Sequence, residues 1–176
     1  MDQWFVDKAR KGEVYHAHNT TAGEVTVLSA TCTGLVLENP FGSGKQLVVH
    51  SMAFVGSTLT TIREVGVAVS SLVSETLSTT VTAANIHNGR PTGTNNHKGV
   101  AKAYSVATLA STPVWLRPIG NARVTAADEG RNALEAVFDG TIIVSPGTYI
   151  CLSALTTATT GLCSMTWAEE KEGLGI

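Results

Sequence analysis

Charge is scarce in this 176-residue chain: Asp, Glu, Lys and Arg together supply 15% of it, against the usual quarter. Aromatic residues are few as well, at 6%. The net charge of −2 gives no global field that would attract nucleic acid or an anionic membrane, so neither is expected as a partner. No stretch approaches the ~20 consecutive apolar residues of a membrane-spanning helix. The opening Met1-Asp2-Gln3-Trp4-Phe5-Val6 lacks the apolar run of a secretory signal, and the expectation is assembly in a reducing cytoplasm. Cysteine is limited to Cys32, Cys151 and Cys163. An odd count with no CxxC pair points to buried reduced thiols, not to a disulfide framework.

The patterns that carry chemistry are missing too. Gly42-Ser43-Gly44-Lys45 resembles a phosphate-binding loop but fails its test. Asn39 stands where the first Gly is required, and Gln46 where a magnesium-holding Ser or Thr belongs. No Gly-x-Ser-x-Gly elbow occurs. His16-x-His18 on an extended strand puts two imidazoles on one face, as in the metal site of cupins. Glu24 lies too far away to complete that pattern, and although Gly140 and Pro146 keep the later cupin spacing, Ile150 stands near where the third ligand belongs. No pair among the fourteen acids has a spacing that demands acid–base roles. No catalytic residue, cofactor or metal is therefore expected. Asn19-Thr20-Thr21 is a glycosylation sequon in form only.

What is present reads as β-structure. From Phe138 to Trp167 the chain runs Thr-Ile-Ile-Val-Ser, Pro-Gly, Thr-Tyr-Ile-Cys-Leu-Ser-Ala-Leu, and then Leu-Cys-Ser-Met-Thr-Trp. These are β-branched, aromatic and aliphatic runs punctuated by turn residues. Ile150, Leu152 and Ala154 share one face; Cys163, Met165 and Trp167 share one face of the next run. Three such strands need a second sheet to cover them. Further strands are read at 13–18, 24–29, 34–38, 65–70, 81–86, 102–109 and 114–119, with 39–44 as a turn. Lys45–Val55 looks apolar on both sides, with Leu47, Val49, Ala53 and Val55 opposite Val48, Met52 and Phe54, and so reads as a central strand with His50 in its core face. Thr125–Leu134 carries the one helix signal, a turn or two long. Nine or ten short strands about ten residues apart give an all-β fold, an antiparallel β-sandwich, with a jelly roll favoured over an immunoglobulin-type topology. Residues 1–12 form an N-terminal arm and residues 13–176 a single domain.

Two features lie outside this frame. Trp4, Phe5 and Val6 are bulky for a free end and read as an arm docking on a neighbouring subunit, or as one aromatic tucked on the core. Between Glu75 and Asp128 there is no acid, while Arg90, Lys98, Lys102, Arg117 and Arg123 all occur. That segment suits an acidic partner surface. It includes 87–99, the longest polar loop, flanked by His87 and His97.

Thr33-Gly34-Leu35-Val36-Leu37-Glu38-Asn39-Pro40-x-Gly42-Ser43-Gly44-Lys45 resembles the opening of tailed-bacteriophage decoration or cement proteins. Val144-Ser145-Pro146-Gly147-Thr148-Tyr149-Ile150 and Met165-Thr166-Trp167-Ala168-Glu169-Glu170 are similar to their last jelly-roll hairpin. The resemblance covers about half of the chain. It implies a non-enzymatic virion structural protein on the capsid surface, a homotrimer or homodimer bridging subunits of the major capsid protein. Trp4, Phe5, Val6, Arg90, Lys98 and Lys102 are the candidate interface. A carbohydrate- or receptor-binding tail module reading through the 87–99 loop is the second expectation, although that loop has no aromatic to stack on a sugar. A divergent cupin-like metalloenzyme is the third.

Overall fold

The computed structural model describes residues 3–19, 21–57, 62–91, 99–122 and 133–173. In chain order the elements are α1 (Gln3–Lys11), β1 (Val14–His18), β2 (Gly23–Val25), β3 (Thr31–Asn39), β4 (Lys45–Gly56), β5 (Arg63–Val69), β6 (Ser78–Ala83), β7 (Asn85–Asn88), β8 (Lys102–Leu109), β9 (Val114–Ala122), β10 (Ala133–Val144), β11 (Thr148–Ala154) and β12 (Thr159–Lys171). They build two antiparallel sheets. The front sheet runs β10-β4-β12-β1-β7, with β2 also on β12, and the back sheet runs β6-β8-β3-β11-β5-β9.

The pairing has a simple logic. Setting β2 and the 78–109 excursion aside, eight strands pair outermost to innermost: β1 with β12, β3 with β11, β4 with β10, and β5 with β9. That is one long antiparallel hairpin rolled up into two sheets, the connectivity of a jelly roll. Successive strands therefore change sheets. The turn at 40–44 and the Pro146-Gly147 turn cross from one sheet to the other, so β10, β11 and β12 are not three neighbours in one sheet. Gly42 and Gly44 take positive φ of 72° and 66° in the first crossing, where a side chain would be strained.

The core lies between the sheets. Phe54, Met165 and Trp167 of the front sheet meet Leu35, Leu37, Ile150 and Leu152 of the back sheet, all below 2% exposure. Burial of each such side chain contributes roughly 1.5–3 kcal/mol. β4 departs from its expected alternation. Thr166 pairs with Ser51 but Trp167 pairs with Val49, leaving His50 as the extra residue of a β-bulge. The bulge exchanges the faces: Leu47 and Val49 before it and Met52 and Phe54 after it all join one core, while Val55 points outward, 43% exposed. The strand is central as expected, flanked by β10 and β12, but only one of its sides faces the core between the sheets. His50 belongs to the outer side, not to the core face.

β1 and β2 lie on the same side of β12, separated by a gap that Asn19 fills. Its Oδ1 accepts the Cys163 N–H at 2.7 Å, and its Nδ2 donates to the Gly161 carbonyl at 3.1 Å. The amide thus substitutes for a missing ladder rung, and the sequon's asparagine is 1% exposed and closed to a glycan in the folded chain.

The back sheet is buried on its outer face as well. Cys32, Val36, Ala107, Tyr149 and Cys151 form a second apolar layer with Leu77. The crossing segments at 70–77 and 110–113 cover it: Tyr149 Oη donates to the Ser111 carbonyl at 2.7 Å, and Ser71 Oγ to that of Thr112 at 3.2 Å. This is why β11 is buried at every position from Tyr149 to Ala154. All three cysteines are buried and unbridged. Burial pushes the Cys163 thiol up to about 12; the hydrogen bond between Cys151 and Cys32, followed by burial, raises Cys151, and the same bond lowers Cys32. Thiolate is the reactive form, so Cys151 and Cys163 are protected by both protonation and burial and Cys32 by burial alone, at 1% exposure; the native protein at pH 8 is expected to resist iodoacetamide at all three positions, with full alkylation in guanidinium. Rapid labelling of the native chain at any cysteine, read by mass spectrometry, would contradict this burial.

The sequence-expected helix at 125–134 falls mainly outside the described residues; Ala133 and Leu134 begin β10. The single helix among the described residues is α1, where an arm is expected. Gly12 explains its end. Gly12 N–H bonds the Ala9 carbonyl and Glu13 N–H the Lys8 carbonyl, each at 2.9 Å, with Gly12 at φ 73°. This is a Schellman stop, with Lys8, Arg10 and Lys11 in the last turn, where cations favour the helix dipole.

Candidate functional site

α1 lies against the outer face of the front sheet, and the seam between them holds the densest collection of chemically capable groups among the described residues. Phe5 is buried against Val14 and Ala168, with Trp4, Ala9 and Val48 beside it. Its ring meets that of Trp4 edge-on at 4.9 Å and that of His50 at 4.6 Å. Lys8 reaches Glu13 at 2.8 Å and also pairs with Glu170, with its ammonium 5.5 Å from the Trp4 ring.

Between helix and sheet remains a cavity of about 340 Å³ walled by Phe5, Val6, Ala9, Val14, His16 and His50, with Gly89 and Thr166 completing it. Alternation on β1 sets the direction of the histidines. Tyr15 and Ala17 belong to the core, so His16 and His18 face outward. His16 Nδ1 lies 2.9 Å from Thr166 Oγ1, and His16 is the register partner of His87 on β7. His87 stacks on His18 at 5.5 Å with ring planes 5° apart. His50 Nδ1 stands 3.0 Å from Asp139 Oδ1. Burial, with His87 and His50 adding their own charge, holds the His16 imidazole below its ordinary value, although the residue itself is exposed on the sheet's outer face.

These histidines face away from the sandwich interior, so the inward-facing ligand set of a cupin is not formed here. Among the described residues no three His, Cys, Asp or Glu side chains converge on a point where a metal ion would sit. No helix among these residues is long and apolar enough to cross a membrane. Comparison with protein-family models, with curated proteins and with solved structures finds no match for this chain.

The interface residues expected from sequence separate into distinct places. Trp4, Phe5 and Val6 are together in α1, but Phe5 is spent on the chain's own sheet. Arg90 donates from Nη1 to the Arg10 carbonyl at 2.9 Å, with Asn88 Nδ2 on the Gly12 carbonyl beside it, so it closes the C-terminus of α1. Lys102 faces Glu38 across β8 and β3; burial raises the Glu38 carboxyl while Lys102 and the Tyr104 hydroxyl pull it back. Arg117 sits 5.4 Å from the Phe138 ring. Lys98, Arg123 and His97 lie outside the described residues. The described members of the basic run thus have individual partners within the chain.

Sequence reasoning missed Glu169. Its carboxylate is 0% exposed and accepts the Val100 N–H at 2.8 and 3.0 Å, the Ala101 N–H at 3.1 Å and the Lys45 ammonium at 3.2 Å. It anchors the far end of the polar loop to the front sheet. Continuing the alternation Cys163, Met165, Trp167 by one step places residue 169 on the inner face; that was the available signal.

Proposed function

We propose that this chain is a non-enzymatic structural protein of a tailed-bacteriophage virion, a decoration or cement protein that docks on the outer head surface and bridges subunits of the major capsid protein. The observation that carries the reading is the open half of the front sheet. Beyond α1, Leu162 and Val55 pair side by side at 45% and 43% exposure, and Val137 stands two rows away at 53%. Large apolar side chains on the exposed face of a sheet mark an interaction surface. A jelly roll is an architecture found in viral capsid domains, and the resemblance at 33–45, 144–150 and 165–170 falls on its crossing turns and last strands.

The test uses expanded heads of the phage that carries the gene, stripped of surface proteins and mixed with the purified chain. Saturable co-sedimentation is expected, with electron microscopy showing density at fixed positions between capsid subunits. The double variant Val55→Glu, Leu162→Glu should bind at least tenfold more weakly while remaining folded. Absence of binding by the wild-type chain, or equal binding by the variant, would sink the proposal.

A further inference from the structure

The seam between α1 and the front sheet is walled but not filled. Ala9 brings one side-chain carbon and Gly89 none to its lining, and a cavity of about 340 Å³ is left. Well-packed proteins keep few gaps of this size, because atoms that line a void forgo their contacts. A void of roughly 150 Å³ lined by aliphatic and aromatic side chains holds benzene, so this one has room for about two fused rings. Phe5, Val6 and Val14 supply apolar wall, with the Phe5 ring 4.6 Å from that of His50. No Asp, Glu, Lys or Arg among the described residues lines it. The nearby charges of α1 are engaged elsewhere, Asp7 with Arg10 and Lys8 with Glu13 and Glu170. His16, exposed on the sheet, marks the side that opens to water.

Two backbone irregularities meet at the polar part of the wall. His50 is the extra residue of β4 against β12. Across from it, residues 138–141 of β10 stand between the pairs Val137–Ser51 and Ile142–Val49. Within that stretch Asp139 takes φ 45°, the one non-glycine at positive φ among the described residues, and its Oδ1 lies 3.0 Å from His50 Nδ1. Bulges re-aim side chains, and backbone held in this region gathers at ligand sites. Thr166, bonded to His16 at 2.9 Å, is the other polar group of the wall.

We propose that this cavity binds a small, uncharged, bicyclic aromatic molecule that carries one hydroxyl. The volume sets the size, and the rings of Phe5 and His50 offer aromatic contact. A charged ligand would lose its hydration with no carboxylate, ammonium or guanidinium in the wall to replace it. A hydroxyl both donates and accepts, so it satisfies the His50 imidazole in either tautomer. The site is distinct from the open strip of Val55 and Leu162 and does not depend on capsid docking.

2-Naphthol has these features and is the probe, titrated into the 15N-labelled full chain at pH 7.5 with affinity read by calorimetry. Saturable one-to-one binding is expected, with amide shifts concentrated in α1 and at His16, His50 and Gly89. 2-Naphthoate, the same rings with a carboxylate, should bind at least tenfold more weakly. Ala9→Leu fills the cavity at little cost in helix propensity and should weaken 2-naphthol at least tenfold, whereas the double variant Val55→Glu, Leu162→Glu should bind it as the wild type does. No saturable binding up to the solubility limit overturns the proposal. So do shifts centred on Val55 and Leu162, naphthoate binding as tight as naphthol, or undiminished affinity in folded Ala9→Leu. Should that variant fail to fold, the wild-type shift map and the naphthoate comparison decide.

Discussion

Glu169→Ala is expected to cost about 3–5 kcal/mol of folding stability, the range for removing one partner from a buried charged network. The carboxylate is the acceptor for Val100 N–H, Ala101 N–H and the Lys45 ammonium. Its loss strands two amides in a wall made partly by Tyr15, whose hydroxyl already lies beside it and is raised by burial and then by Glu169. Lys45 retains 33% side-chain exposure and can turn to water, so most of the cost lies in the amides. Glu169→Gln keeps the shape and one acceptor but turns an NH2 toward an N–H, and should fall between alanine and wild type. At 2–4 °C per kcal/mol for a chain of this size, the alanine variant should melt on the order of 10 °C lower. Exchange at Val100 and Ala101 should rise first. A loss below about 1 kcal/mol in urea unfolding would show that these hydrogen bonds do not hold the loop.

The second large effect is expected at Asn39, which is 0% exposed. Its Nδ2 donates to the carbonyls of Lys45 and Val144, both at 2.8 Å, its Oδ1 accepts the Ser43 hydroxyl at 2.7 Å, and its own carbonyl accepts the Gly147 N–H at 2.9 Å. One side chain therefore ties the end of β3 to the start of β4 and the end of β10, where both sheet-crossing turns meet. Asn39→Ala takes the side-chain donor from the buried Val144 carbonyl and leaves that of Lys45 to the Ser43 hydroxyl at 3.2 Å; at about 1–3 kcal/mol for each buried group left unmade, the expected total is about 2–4 kcal/mol with the lost tie to Ser43. Asn39→Asp should cost at least as much, because it sets a carboxylate against those oxygens. Ser43→Ala is the mild control. Equilibrium unfolding with an unchanged denaturant slope separates a lost tie from a changed unfolded state; an Asn39→Ala midpoint within error of wild type would contradict the assignment.

The sequence shows the β-architecture because its signals are local. The runs at 45–55, 65–70, 102–109, 148–154 and 162–167 alternate or stay apolar over the right lengths, and Gly or Pro marks the turns between them. Features that depend on the partner strand were hidden. A bulge is invisible in one strand, so Leu47 and Met52 read as opposite faces until the pairing at Ser51 and Val49 showed His50 to be the extra residue. Sheet assignment was hidden for the same reason, since the Pro146-Gly147 turn reads alike whether it folds a hairpin or crosses between layers. The helix signal at 125–134 lies outside the described residues, whereas α1 lacks a clear start signal and carries its evidence at the end, in Lys8, Arg10, Lys11 and Gly12. For the candidate site, Trp4, Phe5 and Val6 were legible as unusual. The gathering of His16, His50 and His87 was not, because they stand on three strands far apart in sequence.

The rolled hairpin dictates when the molecule can come into being. His16 and its neighbour Thr166 are 150 positions apart, and β12 lies between β1 and β4, hydrogen-bonded to both. A nascent polypeptide that has emerged only as far as β11 holds partners for the back layer but lacks the central strand of the front one. β12 must therefore be synthesised before the front layer closes, and pairings this distant are slow to find. A messenger truncated before codon 159 would yield a product with an open apolar flank, prone to aggregate.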